Sequence, residues 1–298
     1  MSQGLAEVND INIWLEDFGY SSNPTVLLIM GANANAMQWP LEFVNPLVEA
    51  GFHVIRFDNR DVGKSTWVTT EPTMIVSQDG IANAEVSYNL EDMAADAIAL
   101  LDHLGIDNAH IVGASMGGMI TQVIGLDHPN KALSLTPIMS TPGAGLEDEN
   151  LSPPTESLMQ GMMKSMEHNM KGEYLEGLVC IYRELIGSRY PFDEEKFREG
   201  AKAIMDHGHN PFPGHGAAVS SSPPRKDRLT ELSLPTLVIH GTEDAILPFD
   251  HGQSLADGIP NAQLMVLEGV GHEIPAPITQ PITARMIPHF HSTYTFTF

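Results

Sequence analysis

The chain has 298 residues, 42% of them apolar, which suits one large α/β domain with room for an inserted subdomain. Fifteen basic residues stand against 38 acidic ones, and the net charge of −23 argues against nucleic-acid backbones and anionic membrane surfaces as partners. No apolar run approaches the ~20 residues that span a bilayer, and the single Cys180 offers neither an internal disulfide nor a metal cluster.

The start, MSQGLAEVND, has neither the basic residues nor the apolar stretch of a secretory signal, so a cytoplasmic protein without membrane insertion is expected, as a monomer or homodimer. Residues 8–14 alternate apolar and polar side chains and read as a strand running towards a turn at Phe18-Gly19. Residues 25–30 (TVLLIM) and 53–57 (HVIRF) are short apolar runs, as suits strands buried on both faces of a parallel sheet. Between them, residues 40–50 have helical spacing and stop at Gly51. The clearest helix of the first half covers 89–104: Asn89 can cap it, Glu91 and Asp92 suit its first turn, and Gly105 ends it. A strand at 109–112, a glycine-rich turn, a helix at 116–126 and a strand at 133–139 follow. This alternation predicts an α/β fold, a mostly parallel sheet with helices on both faces.

From about 141 to 230 there are helical segments and no convincing strand. Alternation then resumes with strands at 235–239 and 262–267 and helices at 250–258 and 279–290. An insertion of that size between two core strands reads as a helical cap over the active edge of the sheet. The expected organisation is a core from 1–140 and 231–298 around a cap at 141–230. The closing STYTFTF alternates like a strand and carries no functional signal.

Gly113-Ala114-Ser115-Met116-Gly117 matches G-x-S-x-G, and its setting gives the match its weight: it follows an apolar strand and opens a helix. Such a turn admits only small neighbours and raises the serine above the carboxyl edge, where backbone N–H groups favour developing negative charge. A serine hydroxyl is a weak nucleophile and needs a base. Among thirteen histidines, His272 in EGVGH follows the last strand and lies on the edge that carries the serine. Asp244 in HGTED follows the preceding strand and can orient the imidazole, which gives the chain order Ser, Asp, His. Glu243 beside it reads as a surface charge. For a tetrahedral oxyanion, one donor is expected from the N–H of Met116 and the other from the loop at 30–33, either Ala32 or Asn33.

The elbow GASMGG, the loop LLIMGANANAMQWP, the segment FDNRDVGKS and the ends HGTED and EGVGHEIP resemble the α/β-hydrolase superfamily across nearly the whole chain. Within it they most resemble the aclacinomycin methylesterase-like carboxylesterases. The resemblance implies the α/β-hydrolase fold and ester hydrolysis through an acyl-enzyme, with no cofactor and no metal. The cap and the long loop at 66–88 would then govern substrate choice.

Other features read more plainly. Gly63-Lys64-Ser65 lacks the first glycine of a phosphate loop, since position 58 is Asp, so Arg60, Asp61 and Gly63 are expected to brace a turn. His207, His209 and His215 are close in sequence, but their spacing fixes no metal geometry, and a loop with scattered imidazoles is expected. Met159, Met162, Met163, Met166 and Met170 recur on one helical face and either line an acyl pocket, together with Asn33, or pack the cap on the core. The expected activity is carboxylic ester hydrolysis of a small or medium substrate with a short acyl chain. Lactonase, amidase, perhydrolase and carbon–carbon bond hydrolase chemistry run on the same triad. A non-catalytic binding protein on this fold would be expected to lack a triad member or an elbow glycine, and none is missing.

Overall fold

The computed structural model describes residues 2–69, 71, 74–77, 80–83, 87–143 and 150–294, with the backbone alone for 74–77 and 80–83. Strands β1 (Ser2–Val8) and β2 (Ile11–Phe18) form an antiparallel hairpin. The alternation at 8–14 therefore crosses a turn instead of forming one strand. Asn9 and Asp10 make that turn with φ of 48° and 63°, a conformation that short polar side chains tolerate and tight hairpins require.

The other sheet strands are β3 (Thr25–Ile29), β4 (His53–Phe57), β7 (Ala109–Ala114), β8 (Ala132–Ile138), β9 (Leu237–Gly241) and β10 (Gln263–Leu267). The order is β1-β2-β4-β3-β7-β8-β9-β10, parallel from β4 to β10. Every residue of β3, β4, β7 and β9 is buried, which is why these segments read as unbroken apolar runs. The 66–88 region is not wholly loop: it holds a two-stranded hairpin, β5 (Met74–Ser77) with β6 (Gly80–Asn83).

Two apolar layers flank the sheet. Helices α1 (Leu41–Glu49) and α9 (Ala276–His291) cover one face through Phe43, Leu47, Ile282 and Phe290. Helices α2 (Leu90–His103), α3 (Met116–Asp127) and α8 (Phe249–Gly258) cover the other through Leu101, Ile120, Ile124 and Leu255. Each fully buried side chain of this size contributes roughly 1.5–3 kcal/mol. At the start of α2, Asn89 Oδ1 accepts from the Asp92 N–H at 3.0 Å and Asp92 Oδ2 accepts from the Asn89 N–H at 2.9 Å, a reciprocal cap.

Between β8 and β9 the chain forms α4 (Glu156–Met170), α5 (Tyr174–Leu185), α6 (Glu194–His207) and α7 (His215–Ser221). Helices α4 and α5 pack closely because Gly161 and Gly177 leave room for Glu184 and Asn169. After α9, residues 292–294 turn and bring the Tyr294 hydroxyl within 2.8 Å of His110 Nε2; the rest of the alternating STYTFTF stretch lies outside the described residues. Among the described residues, no helix is long and apolar enough to cross a membrane.

Candidate active site

Ser115 joins β7 to α3 in a turn whose backbone is held at φ 54° and ψ −119°, a conformation that costs a non-glycine residue ~1–3 kcal/mol. Its neighbours hold it there. The Ser115 N–H donates to the Ile138 carbonyl at 2.8 Å, and the Ser140 hydroxyl donates to the Ser115 carbonyl at 2.9 Å. A Cβ on Gly113 would overlap the Gly117 carbonyl, and one on Gly117 would overlap the Ile29 carbonyl. One on Gly31 would stand 3.1 Å from Ser115 Cβ, so the loop after β3 lies directly against the serine.

The loops after β9 and β10 bring the acid and the base together at the same edge. His272 Nδ1 lies 2.7 Å from Asp244 Oδ2, with the aspartate side chain fully buried. The other carboxylate oxygen accepts from the N–H groups of Ile246 and Leu247 at 2.9 and 2.8 Å. Burial alone would raise the Asp244 pKa, yet the charge and hydrogen bond of His272 and the neighbouring donors hold it below the ordinary aspartate value. An ionised Asp244 accepts only, so Nδ1 of His272 carries the hydrogen and Nε2 is the basic nitrogen of the neutral ring. His240 packs nearby, its Nε2 2.7 Å from the Leu247 carbonyl, and burial lowers its pKa and keeps it neutral.

Met116 is the first residue of α3, where an N–H has no partner within the helix. In the loop after β3, the Asn33 N–H donates to His215 Nδ1 at 2.8 Å. Of the two N–H groups expected from this loop, that of Asn33 is thereby engaged within the protein. Asn33 adopts φ 62°, and both Ala32 and Asn33 are exposed.

The cap touches the histidine loop directly. The His272 N–H donates to the Leu185 carbonyl at 2.7 Å, at the end of α5. Glu243 lies on the surface, as expected, and accepts there from the Ser188 N–H and hydroxyl at 2.6 and 2.7 Å. Glu273 was not singled out from the sequence. It is buried beside His272, accepts from the Gly187 N–H at 3.2 Å, and is pushed up to about 7 by burial, against the pull of the Gly187 and Gly271 N–H groups. Tyr182 nearby is pushed up to about 12, first by burial and then by the Glu273 charge.

The methionine stripe does not serve to pack the cap on the core. Met159, Met162 and Met163 are 43, 45 and 59% exposed, whereas α4 buries Leu158 and Gly161 against its neighbours. Met166 is half-buried and Met170 exposed. Helical spacing identified a face but not which face the packing uses. The three histidines are not scattered loop imidazoles either. His207 Nε2 meets buried Asp58 Oδ2 at 2.7 Å, His215 is fully buried between Asn33 and Arg60, and His209 packs against Tyr174 with the rings tilted at 55° and their centroids 4.9 Å apart. Partners this distant in sequence leave no local signal. Of the residues expected to brace the turn at 58–65, Asp61 accepts from the Val68 and Thr69 N–H groups at 2.5 and 2.7 Å and Arg60 reaches away to Asp96. Asp58, not singled out, accepts from the Lys64 N–H at 2.8 Å and, at its carbonyl, from the Ser65 hydroxyl at 2.6 Å.

Strand order, cap insertion and the serine turn define a hydrolase class, and the comparisons agree. The profile described as alpha/beta hydrolase fold matches residues 24–179, and a second, described as TAP-like protein, matches residues 210–290. The chain belongs to the α/β-hydrolase family. It is 30% identical to rhodomycin D methylesterase DauP of Streptomyces sp. (strain C5), over 94% of this chain and 95% of that protein. It is 27% identical to a 2-hydroxy-6-oxononadienedioate/2-hydroxy-6-oxononatrienedioate hydrolase of Dechloromonas aromatica (strain RCB), over 88% of this chain and 85% of that one. Among solved structures, the enol-lactonase of Burkholderia xenovorans LB400 superposes with a TM-score of 0.74 at 19% identity, over 97% of this chain and all of that one, a likeness of fold.

Proposed function

We propose that the chain is a serine-dependent carboxylic ester hydrolase. Ser115 Oγ attacks the ester carbonyl carbon as His272 Nε2 takes its proton. Ala32 and Met116 N–H groups receive the charge of the tetrahedral oxyanion. The imidazolium, steadied by Asp244, returns the proton to the departing alcohol and leaves an acyl-Ser115. Water then attacks the acyl carbon, with His272 again as base, and releases the carboxylic acid.

The observation that carries this reading is the His272–Asp244 bond of 2.7 Å, at the sheet edge where Ser115 stands strained. Both catalytic loops are in contact with the cap, which supports a small or medium ester enclosed from solvent over a long acyl chain. A methylesterase relative matching more of this chain, at higher identity, favours an ester over the ketone cleavage that the oxo-dienedioate hydrolase relatives bring forward as the second reading. The expected partner is a small-molecule ester, with no cofactor.

The test is hydrolysis of p-nitrophenyl esters from acetyl to dodecanoyl, alongside covalent labelling by a fluorophosphonate. Ser115→Ala is expected to lose labelling and to lower kcat about 10⁴-fold or more, with turnover of the wild type falling beyond short acyl chains. A folded wild type that neither labels nor hydrolyses any of these esters overturns the reading. Labelling without ester turnover moves it to the carbon–carbon or amide substrates.

A further inference from the structure

His215 is the first residue of α7, in the cap, yet both of its nitrogens reach core loops. Nε2 lies 2.7 Å from the Arg60 carbonyl, which can only accept, so Nε2 carries the hydrogen. Nδ1 of the neutral ring then offers a lone pair, and the Asn33 N–H meets it at 2.8 Å. The ring is fully buried, so neither bond is exchanged for water. On the other side of the same loop, Gly31 is pressed against Ser115. The backbone at 31–33 is thus gripped between the serine and a cap histidine.

We propose that His215 is a positioning residue for the oxyanion loop: through the Asn33 N–H it fixes the backbone that presents the Ala32 N–H beside Ser115. The inference rests on the serine-hydrolase reading of that serine. It makes the cap a contributor to transition-state stabilisation as well as an enclosure, because an oxyanion donor acts only if it is already aimed. It also requires a neutral His215. A second proton, on Nδ1, would set N–H against N–H and release the loop.

The surroundings keep the ring neutral. Burial lowers the His215 pKa, against the opposing pull of the hydrogen bond to the Arg60 carbonyl and of the Asp61 charge, and the Arg60 charge adds a smaller push downward. Those two charges are themselves tied down. Arg60 pairs with Asp96 at 2.7 Å, and Asp61 accepts from the Tyr88 hydroxyl and from the Gly214 N–H at 2.5 and 3.0 Å.

Two amide variants separate the bonds. His215→Asn places a carbonyl oxygen where Nδ1 stood and keeps an acceptor for Asn33, while His215→Gln places its amide group where Nε2 stood and keeps a donor for Arg60. With p-nitrophenyl acetate, kcat of H215Q is expected to fall about 10- to 100-fold below that of H215N, with KM changed by less than about 3-fold. Role-independent packing would lower both variants alike. A second readout is the rate of fluorophosphonate labelling at Ser115, which is expected to fall in H215Q along with kcat and to stay near the wild-type rate in H215N. Equal kcat in the two variants, or equal labelling rates, overturns the proposal. If neither variant folds, His215→Ala decides, and a kcat and labelling rate equal to those of the wild type overturn the proposal. A wild type that labels with fluorophosphonate and turns over while H215Q matches it defeats the positioning role alone, whereas a wild type that does neither defeats the hydrolase reading beneath it.

Discussion

The two halves of the cap hold the core by different chemistry and at opposite ends of the candidate site. Helices α4 and α5 and the segment that follows them meet the aspartate and histidine loops mostly through their own backbone, the Leu185 carbonyl accepting from the His272 N–H and the Gly187 and Ser188 N–H groups donating to the carboxyl groups of Glu273 and Glu243. Helices α6 and α7 meet the serine side through buried side chains, at His207 with Asp58, Asn210 with the Asp61 and Thr69 carbonyls, and His215 with Asn33. Backbone contacts tolerate a change of side chain. Buried polar pairs do not, because the abandoned partner has no water to turn to. The second half of the cap is therefore the less replaceable one.

The sharpest way to break that contrast is Asp58→Ala. It strands His207 and removes the acceptor for the N–H groups of Ala36 and Lys64, which lie at 2.8 Å, and is expected to cost ~3–5 kcal/mol in urea unfolding. A loss below ~1 kcal/mol would place the anchorage elsewhere. A smaller effect is expected on the histidine side, from pH. Glu273 is held above the ordinary glutamate value of 4.5, at about 7, so its contribution to stability is intact below 4.5 and is lost as pH rises to about 7. Glu273→Gln keeps an acceptor for the Gly187 N–H and cannot ionise, so its Tm relative to wild type is expected to rise across that window. Parallel Tm curves would show that Glu273 does not titrate there. The least effect is expected on the outer surface of the cap: Arg198→Ala removes pairs with Glu176 and Glu194 at 2.7 and 2.9 Å that stand in solvent, and is expected to cost less than ~1 kcal/mol.

The same contrast governs what could be read without coordinates. Ser115, Asp244 and His272 each follow a core strand within a few residues, and the strands announce themselves as apolar runs closed by glycine or polar residues. Local pattern thus carried the parallel sheet and the three side chains, two of which the folded chain brings into hydrogen-bond contact. The cap latches have no such signature. His207 lies 149 residues from Asp58, and His215 lies 182 from Asn33, so DHGHNPFPGHG reads as a polar loop until the fold closes it. The methionines of α4 show the converse, a conspicuous period that the packing leaves mostly exposed. The turn at Asn9-Asp10 was missed because its short polar residues fit the alternation on either side.

The crowding around Ser115 bears on descent as well as on chemistry. Gly113 and Gly117 cannot accept a single methyl without overlapping a main-chain carbonyl, and one on Gly31 would press on the serine itself. A lineage seeking new substrates finds those positions closed, whatever the selective reward. Its freedom lies instead in the cap, where Met159, Met162 and Met163 are largely exposed and can be exchanged at small cost in stability. Novelty in such a protein is to be looked for above the sheet, while the turn that bears the serine is inherited whole.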